Sequence, residues 1–289
     1  MELLKIENEI EISQKISFSE VHKNSIINLK EKYERPPLAI SIGTDSVNYN
    51  GRFYPLRFGT YGNISLIKGE EKSRKTFLKS MILACAIGGN ANLYNPQIAG
   101  HELKDKFIFD IDTEQDKYDN WMSALRIPKM IGQPDNPNFY ENYIPVNLRQ
   151  NNAYEIRGYL EWLFLESEYR NNLGIVSIDG FVDCVDDFNN LLECKEFTQK
   201  LMKYSSISKS HITGVLHVNP GMEKARGHFG TMLQQKAEMV VIVKDCGDYS
   251  EVACQRVRGG KKFESFTISV DQNKLPYKTE FTVQENWKN

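Results

Sequence analysis

The sequence predicts an α/β fold, a mostly parallel central sheet flanked by helices and followed by a C-terminal β-hairpin, and three observations carry that reading. Short continuous apolar runs recur at 64–67 (ISLI), 107–111 (FIFDI), 143–148 (YIPVNL), 174–178 (GIVSI), 212–218 (ITGVLHV) and 239–243 (MVVIV). Runs of this length without alternation suit strands buried on both faces. Helical patterns separate them over approximately Thr76 to Ile87, Asp116 to Arg126, Ala153 to Ser167 and Asn189 to Ser205, as crossovers between parallel strands require. The tail SEVACQRVRGGKKFESFTISVD alternates around a Gly-Gly turn, which is hairpin chemistry.

Ahead of this core, residues 14–34 carry Ile16, Phe18, Val21, Ile26, Ile27 and Leu29 on a loose helical stripe that ERPP stops. PLAISIG and SVNYNGRFYPLRFGTYG read as short strands around the Asn50-Gly51 turn. The expected organisation is an N-terminal extension over 1–60 and one domain over 61–289 that ends in the hairpin.

Composition narrows the classes. With 289 residues the chain can bury a sizeable core, and 40% hydrophobic with 26% charged residues is ordinary for a soluble globular protein. No apolar run approaches the roughly 18 residues that a membrane span needs. A formal net charge of −2 gives no overall attraction for nucleic acid, so any such binding has to come from a local basic patch. The start MELLKIENEIEI lacks the features of a secretory leader, and the five cysteines have no C-x-x-C spacing. A cytoplasmic protein without membrane partners or a structural zinc is expected.

The chemistry begins at ISLIKGEEKSRKTF, where an apolar strand runs into Gly69, Glu70, Glu71, Lys72, Ser73, Arg74, Lys75, Thr76 and Phe77. The spacing is that of a phosphate-binding loop. Backbone N–H groups would cradle phosphates, Lys75 would neutralise them, and the Thr76 hydroxyl would coordinate Mg²⁺. Arg74 replaces the second glycine of the usual G-x-x-x-x-G-K-[ST] pattern, which is acceptable without a positive φ if its side chain points away from the nucleotide. Such a pattern also arises by chance, as a solvated helix start. Three cations at a helix N-terminus oppose its dipole, however, unless an anion sits among them.

Further candidates stand where the other apolar runs end. Asp179 closes GIVSID, where α/β sheets bind ligands, and suits a metal-binding carboxylate or a helix cap. Asp183 is a second metal candidate, and Asp186 and Asp187 read as solvated or capping acids. Glu114 follows FIFDIDT as a base for an attacking water or as helix-start chemistry. His217 and Asn219 end ITGVLHVN, and the loop after them carries Lys224, Arg226 and His228. Arg256 and Arg258, two apart, share one strand face. They would be solvated on a lone hairpin, or reach a neighbour's nucleotide as arginine fingers.

Taken together, GNISLIKGEEKSRKTF, FIFDIDTEQDKYD, VNLRQNNAYEIRGYLE, GIVSIDGFVDCVDDFN, VLHVNPGMEKARGHFGTMLQQKAE and RVRGGKKFESFTI resemble the RecA-like P-loop ATPases. The likeness lies in the branch of DnaB-type and plasmid RepA-type hexameric helicases. More closely, they resemble the small AAA-family ATPases of Bacteroidetes mobile elements and phages, over roughly 55–272. The resemblance implies a RecA-like P-loop NTPase fold with ATP and Mg²⁺. It puts Lys75 and Thr76 on phosphate and Mg²⁺, Glu114 as catalytic base, Asp179 as Mg²⁺ ligand, and His217 or Asn219 as sensor.

Position 74 is commonly basic in such relatives, and Arg256 with Arg258 matches the pair that acts across their subunit interface. At the first of these, relatives frequently have Lys, and the turn after it looks one residue long here. The loop from Val218 to Thr231 corresponds to one facing the central channel, so Lys224, Arg226 and His228 would meet DNA phosphates, with Arg226 equally suited to sensing nucleotide.

The expected function is Mg²⁺-dependent ATP hydrolysis by a homo-oligomer, a hexamer, coupled to translocation, unwinding or remodelling of DNA, single-stranded for preference. That is the work of a mobile-element or phage replication or mobilisation helicase. The alternatives are a non-helicase ATPase that loads a helicase or regulates replication, a P-loop small-molecule kinase, and a degenerate binding module.

Overall fold

The structure is a computed structural model that describes residues 17–133, 141–218 and 227–279. The chain divides into two compact units, Met1–Arg35 and Pro36–Asn289. In the first, helix α1 (Phe18–Ser25) starts at Ser17, whose hydroxyl accepts from the N–H of Glu20, and ends where Ile26 turns extended. The helical stripe expected over 14–34 therefore stops early among the described residues. At Asn28 the side chain accepts from the N–H of Lys30 and donates to Glu31, a local turn that competes with helix.

The second unit is α/β. A small sheet of order β2-β1-β4 is formed by β1 (Leu38–Tyr49), β2 (Arg52–Thr60) and β4 (Ile98–Gly100). The described residues also form a nine-stranded central sheet of order β12-β11-β10-β9-β3-β8-β7-β5-β6. Its strands are β3 (Ile64–Gly69), β5 (Phe107–Asp112), β6 (Tyr143–Asn147), β7 (Leu173–Asp179), β8 (His211–His217), β9 (Met239–Asp245), β10 (Ser250–Val257), β11 (Phe266–Val270) and β12 (Pro276–Thr279). From β9 to β6 every pairing is parallel, and β10, β11 and β12 add antiparallel strands. The expected hairpin is β10 with β11, and β12 extends it further.

Alternation along the parallel strands divides the core in two. On one face, Ile67, Val215, Val241 and Val243 pack with helices α2 (Lys75–Ile87), α3 (Lys117–Ala124) and α4 (Arg126–Ile131). On the other, Ile64, Leu66, Ile212 and Leu216 pack with α5 (Ala153–Leu165), α6 (Leu191–Ser208) and α7 (Gly227–Lys236). The domain boundary expected near residue 60 falls inside this unit. Ala39, Ile40, Ile42, Leu56 and Phe58 of the small sheet share the core of α2, so β1 and β2 are part of the domain rather than an extension of it.

Local chemistry explains the helix starts. Asn152 and Glu155 close a capping box ahead of α5, and Asn190 and Asp116 cap α6 and α3. The single helix expected over 116–126 is two, because Pro128 has no N–H to give the carbonyl of Ala124 and the chain restarts as α4. No helix among the described residues is long and apolar enough to cross a membrane.

Candidate functional site

Strand β3 leads into the loop that joins it to α2, and the sheet order explains why a cleft opens there. The chain leaves β3 and returns in β5, beyond β8 and β7, while β9 later takes the opposite flank of β3. Such a reversal leaves a crevice outside the carboxyl ends of the strands. Register sets the strand ends level, with Gly69 opposite His217 and Asp179 opposite both Val215 and Asp112. A cleft of about 470 Å³ lies there, lined by Lys72, Ser73, Arg74, Lys75, Thr76, Phe77, Glu114, Asp179 and His217. The sequence had singled out all nine.

The loop is organised around the carbonyl of Glu70. It accepts from Ser73 N at 3.3 Å, Ser73 Oγ at 2.8 Å and Lys75 Nζ at 2.5 Å. Gly69 is required by closeness, since a Cβ there would stand 2.4 Å from the Val243 carbonyl and 2.5 Å from Ser73 Oγ. The side chains of Glu70 and Glu71 are exposed and do not line the cleft.

Arg74 corrects one expectation and meets another. Its φ is +67°, so the position does take the left-handed backbone that a glycine would supply, at about 1–2 kcal/mol for an L residue. Its side chain nevertheless turns away from the loop. The guanidinium donates to Asp245 Oδ1 (2.7 Å), Ser250 Oγ (3.0 Å), the Tyr249 carbonyl (3.2 Å) and the Gly247 carbonyl (2.5 Å). These bonds to the β9–β10 turn offset the backbone cost. Arg74→Ala keeps the cost and loses the bonds, and is expected to lower stability by about 2 kcal/mol. Arg74→Gly loses both together and should cost less than about 1 kcal/mol. Urea unfolding of the two variants reads the order, and the reverse order would contradict this account.

Across the cleft, Thr76 Oγ1 donates to Asp179 Oδ2 at 3.0 Å. Once its proton is committed there, the hydroxyl oxygen keeps its lone pairs for a cation in the cleft. Among the described residues no group of three or more His, Cys, Asp or Glu side chains is arranged to hold a metal alone. A cation here would therefore need oxygens from a ligand, which is how Mg²⁺ is commonly held, with one or two protein oxygens and phosphates.

Glu114 is held at the rim by Asp112, two residues before it. The Asp112 carboxylate accepts from the N–H groups of Glu114 (3.0 Å) and Gln115 (2.7 Å) and from Gln115 Nε2 (2.7 Å). Asp116, not Glu114, caps α3, so the helix-start reading of TEQD belongs to Asp116. Glu114 Oε1 meets His217 Nε2 at 3.2 Å instead. Asp183 lies against Thr113 Oγ1 at 2.7 Å, and burial raises its carboxyl above the usual range. Asp186 pairs with Arg157, and Asp187 accepts from the N–H of Asn189.

Two cations under the cleft escaped the sequence reading. Lys79, one turn beyond Lys75, is buried with Nζ 2.9 Å from Asp110 Oδ1 and 3.2 Å from Asp179 Oδ2. Arg126 lies with its guanidinium 4.0 Å over the Phe77 ring. Burial opposes the charge of Lys79, yet Asp110, Asp179 and Asp112 outweigh it and raise the pKa. Lys75 is the opposite case: burial pushes its ammonium down, and the more distant Asp179 and Glu114 only partly resist. The signal for Lys79 was present as lone charges inside the apolar runs KTFLKSMILACAI and FIFDI.

Other candidates lie elsewhere. Arg256 and Arg258 are exposed and donate to carbonyls that end α7, those of Gln234, Gln235 and Lys236, which suits cations at a helix C-terminus. Arg256 pairs with Val240 near the start of β9, at the sheet edge away from the cleft. The length of β10 from Ser250 to Arg256 sets that separation at about 20 Å. His228 is exposed at the start of α7 and does not line the cleft. Asn219, Lys224 and Arg226 lie outside the described residues. Compared with known proteins, the chain matches no protein-family model and no curated protein.

Proposed function

We propose that this chain is a Mg²⁺-dependent ATPase with a RecA-like core, which assembles into a ring and acts on DNA. One observation carries the catalytic part: the hydrogen bond from Thr76 at the loop-helix junction to Asp179 at the end of β7, with Lys75 and Glu114 lining the same cleft. A phosphate loop needs that coupling of helix start to strand-edge acid. A solvated basic turn does not.

The residues divide the work as follows. Backbone N–H groups of the loop and the Lys75 ammonium bind and orient the β- and γ-phosphates. Lys75 now bonds the Glu70 carbonyl, and an incoming phosphate offers it a charged acceptor instead. Mg²⁺, when bound, neutralises phosphate oxygens, and Thr76, with its proton on Asp179, is the residue placed to hold it. Glu114 takes a proton from the water that attacks the γ-phosphorus, while ADP leaves with the bridging oxygen. His217 orients Glu114 through the 3.2 Å contact.

The ring and the DNA partner rest on the sequence resemblance. Exposed Arg256 and Arg258, about 20 Å from their own cleft along β10, are compatible with service to a neighbour's site. The test is ATP turnover with and without single-stranded DNA, beside mass in solution with and without ATP. Mg²⁺-dependent turnover that DNA stimulates, with an ATP-dependent rise in mass to a ring, is expected. Turnover indifferent to DNA from a chain that stays monomeric would remove the DNA and ring claims. Absence of turnover would remove the ATPase.

A further inference from the structure

We propose that the tip of the β1–β2 hairpin and the turn after β10 form one surface that binds single-stranded DNA, at the pole of the sheet opposite the cleft. The inference takes only the DNA partner from the reading above and is independent of its catalytic part.

The two segments are tied together. The Tyr49 hydroxyl donates to the Gly259 carbonyl at 3.4 Å, Lys261 pairs with Asp45 at 2.7 Å, and the Arg57 guanidinium donates to the Arg258 carbonyl. Arg52 and Phe53 stand opposite Tyr49 and Asn48 across the hairpin. Strand β10 runs from Ser250, whose hydroxyl bonds the Ser73 carbonyl of the phosphate loop, to Val257 opposite Met239 at the start of β9. The turn that follows therefore lies at the amino ends of the parallel strands, far from the cleft.

Charge is concentrated at this corner. Residues 46–57 and 256–262 hold six cations and no acid, in a chain whose formal net charge is −2. Two of the six are neutralised in place, Lys261 by Asp45 and Arg57 by the buried Glu238 at 3.7 Å. Arg256 and Arg258 donate to the carbonyls that end α7, which fixes their guanidinium groups without cancelling a full charge. Arg52 and Lys262 are exposed, and the next acid along the chain is Glu264, beyond the turn. The corner is positive, and a polyanion is the partner that complements it.

Aromatic rings narrow the kind of polyanion. Phe53 is 72% exposed at the hairpin tip. Tyr49 and Tyr54, on the other face of the ribbon, meet edge to face at 6.2 Å. A large ring left in water contributes nothing to the core. Beside cations that hold phosphates, it offers a face on which an unpaired base can stack. A duplex keeps its base faces inside the helix, and an acidic peptide has none to offer.

Fluorescence anisotropy of a fluorescein-labelled oligothymidylate of about 20 nucleotides, read with the full chain from about 50 to 200 mM salt, tests the proposal. Arg52→Gln combined with Lys262→Gln is expected to weaken binding about tenfold and to flatten the slope of log affinity against log salt by about 1.4, the share of two phosphate contacts on a single strand. Phe53→Ala is expected to weaken binding about tenfold with the slope unchanged, and Phe53→Trp to restore it. ATP turnover measured without DNA should be the same in all of these variants, because the substituted side chains are exposed and far from the cleft.

Variants that bind the oligonucleotide as the wild type does, at every salt concentration, overturn the inference and leave the DNA partner standing. Equal affinity for a duplex of the same length, or displacement of the oligonucleotide by poly-glutamate of matched charge, would make the corner a surface for any polyanion and overturn it too. A wild-type chain that fails to bind the oligonucleotide, with or without ATP, removes the DNA partner from the proposed function and this inference with it, while the ATPase claim stands on its own turnover.

Discussion

Lys75→Ala is expected to weaken nucleotide binding on the order of 100-fold, the factor that about 3 kcal/mol carries, while leaving the fold nearly as stable as before. Both halves follow from the environment of the ammonium. Its pKa is pushed down chiefly by burial, so the folded chain holds this charge at a cost that the surrounding acids only partly meet. Among the described residues its ammonium donates to the Glu70 carbonyl, which Ser73 continues to satisfy through both its N–H and its hydroxyl. The loop therefore keeps its shape without Lys75, and the melting temperature should move by no more than about 3 °C. Isothermal titration with ATP beside a thermal melt reads both. Unchanged affinity in the variant would end the assignment of this loop to phosphate.

The second large effect belongs to Glu114→Gln. The amide has the shape of the carboxylate, and its oxygen or its NH₂ can still meet His217 Nε2, so neither the rim of the cleft nor the Asp112 turn that holds position 114 should shift. What disappears is an acceptor for the proton of the attacking water, and turnover should fall about 10²- to 10⁴-fold. Nucleotide affinity should stay within about threefold, because in the proposed mechanism position 114 meets the attacking water rather than the phosphates. Single-turnover hydrolysis and equilibrium binding on the same preparation separate the two. Turnover that survives the substitution would make Glu114 a rim acid and move the base elsewhere, with Asp183 the next carboxyl to try.

Much of this arrangement was legible because strand ends are legible. A run such as GIVSID states both where a buried strand stops and which side chain it delivers to the carboxyl edge, so Asp179, Glu114 and His217 could be placed without knowing the strand order. The cleft then gathers them because β8 and β7 stand between β3 and β5. Lys79 was not legible in the same way. Its meaning depends on a long side chain reaching from α2 to acids on β5 and β7, a tertiary fact that no local spacing records, although a lysine inside an otherwise apolar helix was a warning that a buried acid had to face it.

The backbone of Arg74 was hidden for a different reason. Propensity argues against positive φ for arginine, and only the carbonyls and the carboxylate of a turn 170 residues later make it tolerable. Strands β4 and β12 were missed because each is short and is defined by a long-range neighbour, β1 for β4 and β11 for β12, and helix α7 because Gly227 and Gly230 weaken its helical pattern. At the N-terminus only Phe18 and Val21 of the expected apolar stripe fall on the helix, which ends at Ser25, ahead of the turn chemistry at Asn28.

The tie between Arg74 and the β9–β10 turn also restricts the order in which this chain can change over generations. While arginine occupies position 74, loss of Asp245 or of the Ser250 hydroxyl leaves a left-handed residue without its support beside the cleft. Once glycine stands at 74, Asp245 loses its guanidinium partner and is freer to drift, whereas the Ser250 hydroxyl still donates to the Ser73 carbonyl. Among descendants of this sequence, an acid at 245 should accompany a basic residue at 74 and fade wherever glycine has replaced it, so two sites far apart in the chain would be inherited as a pair.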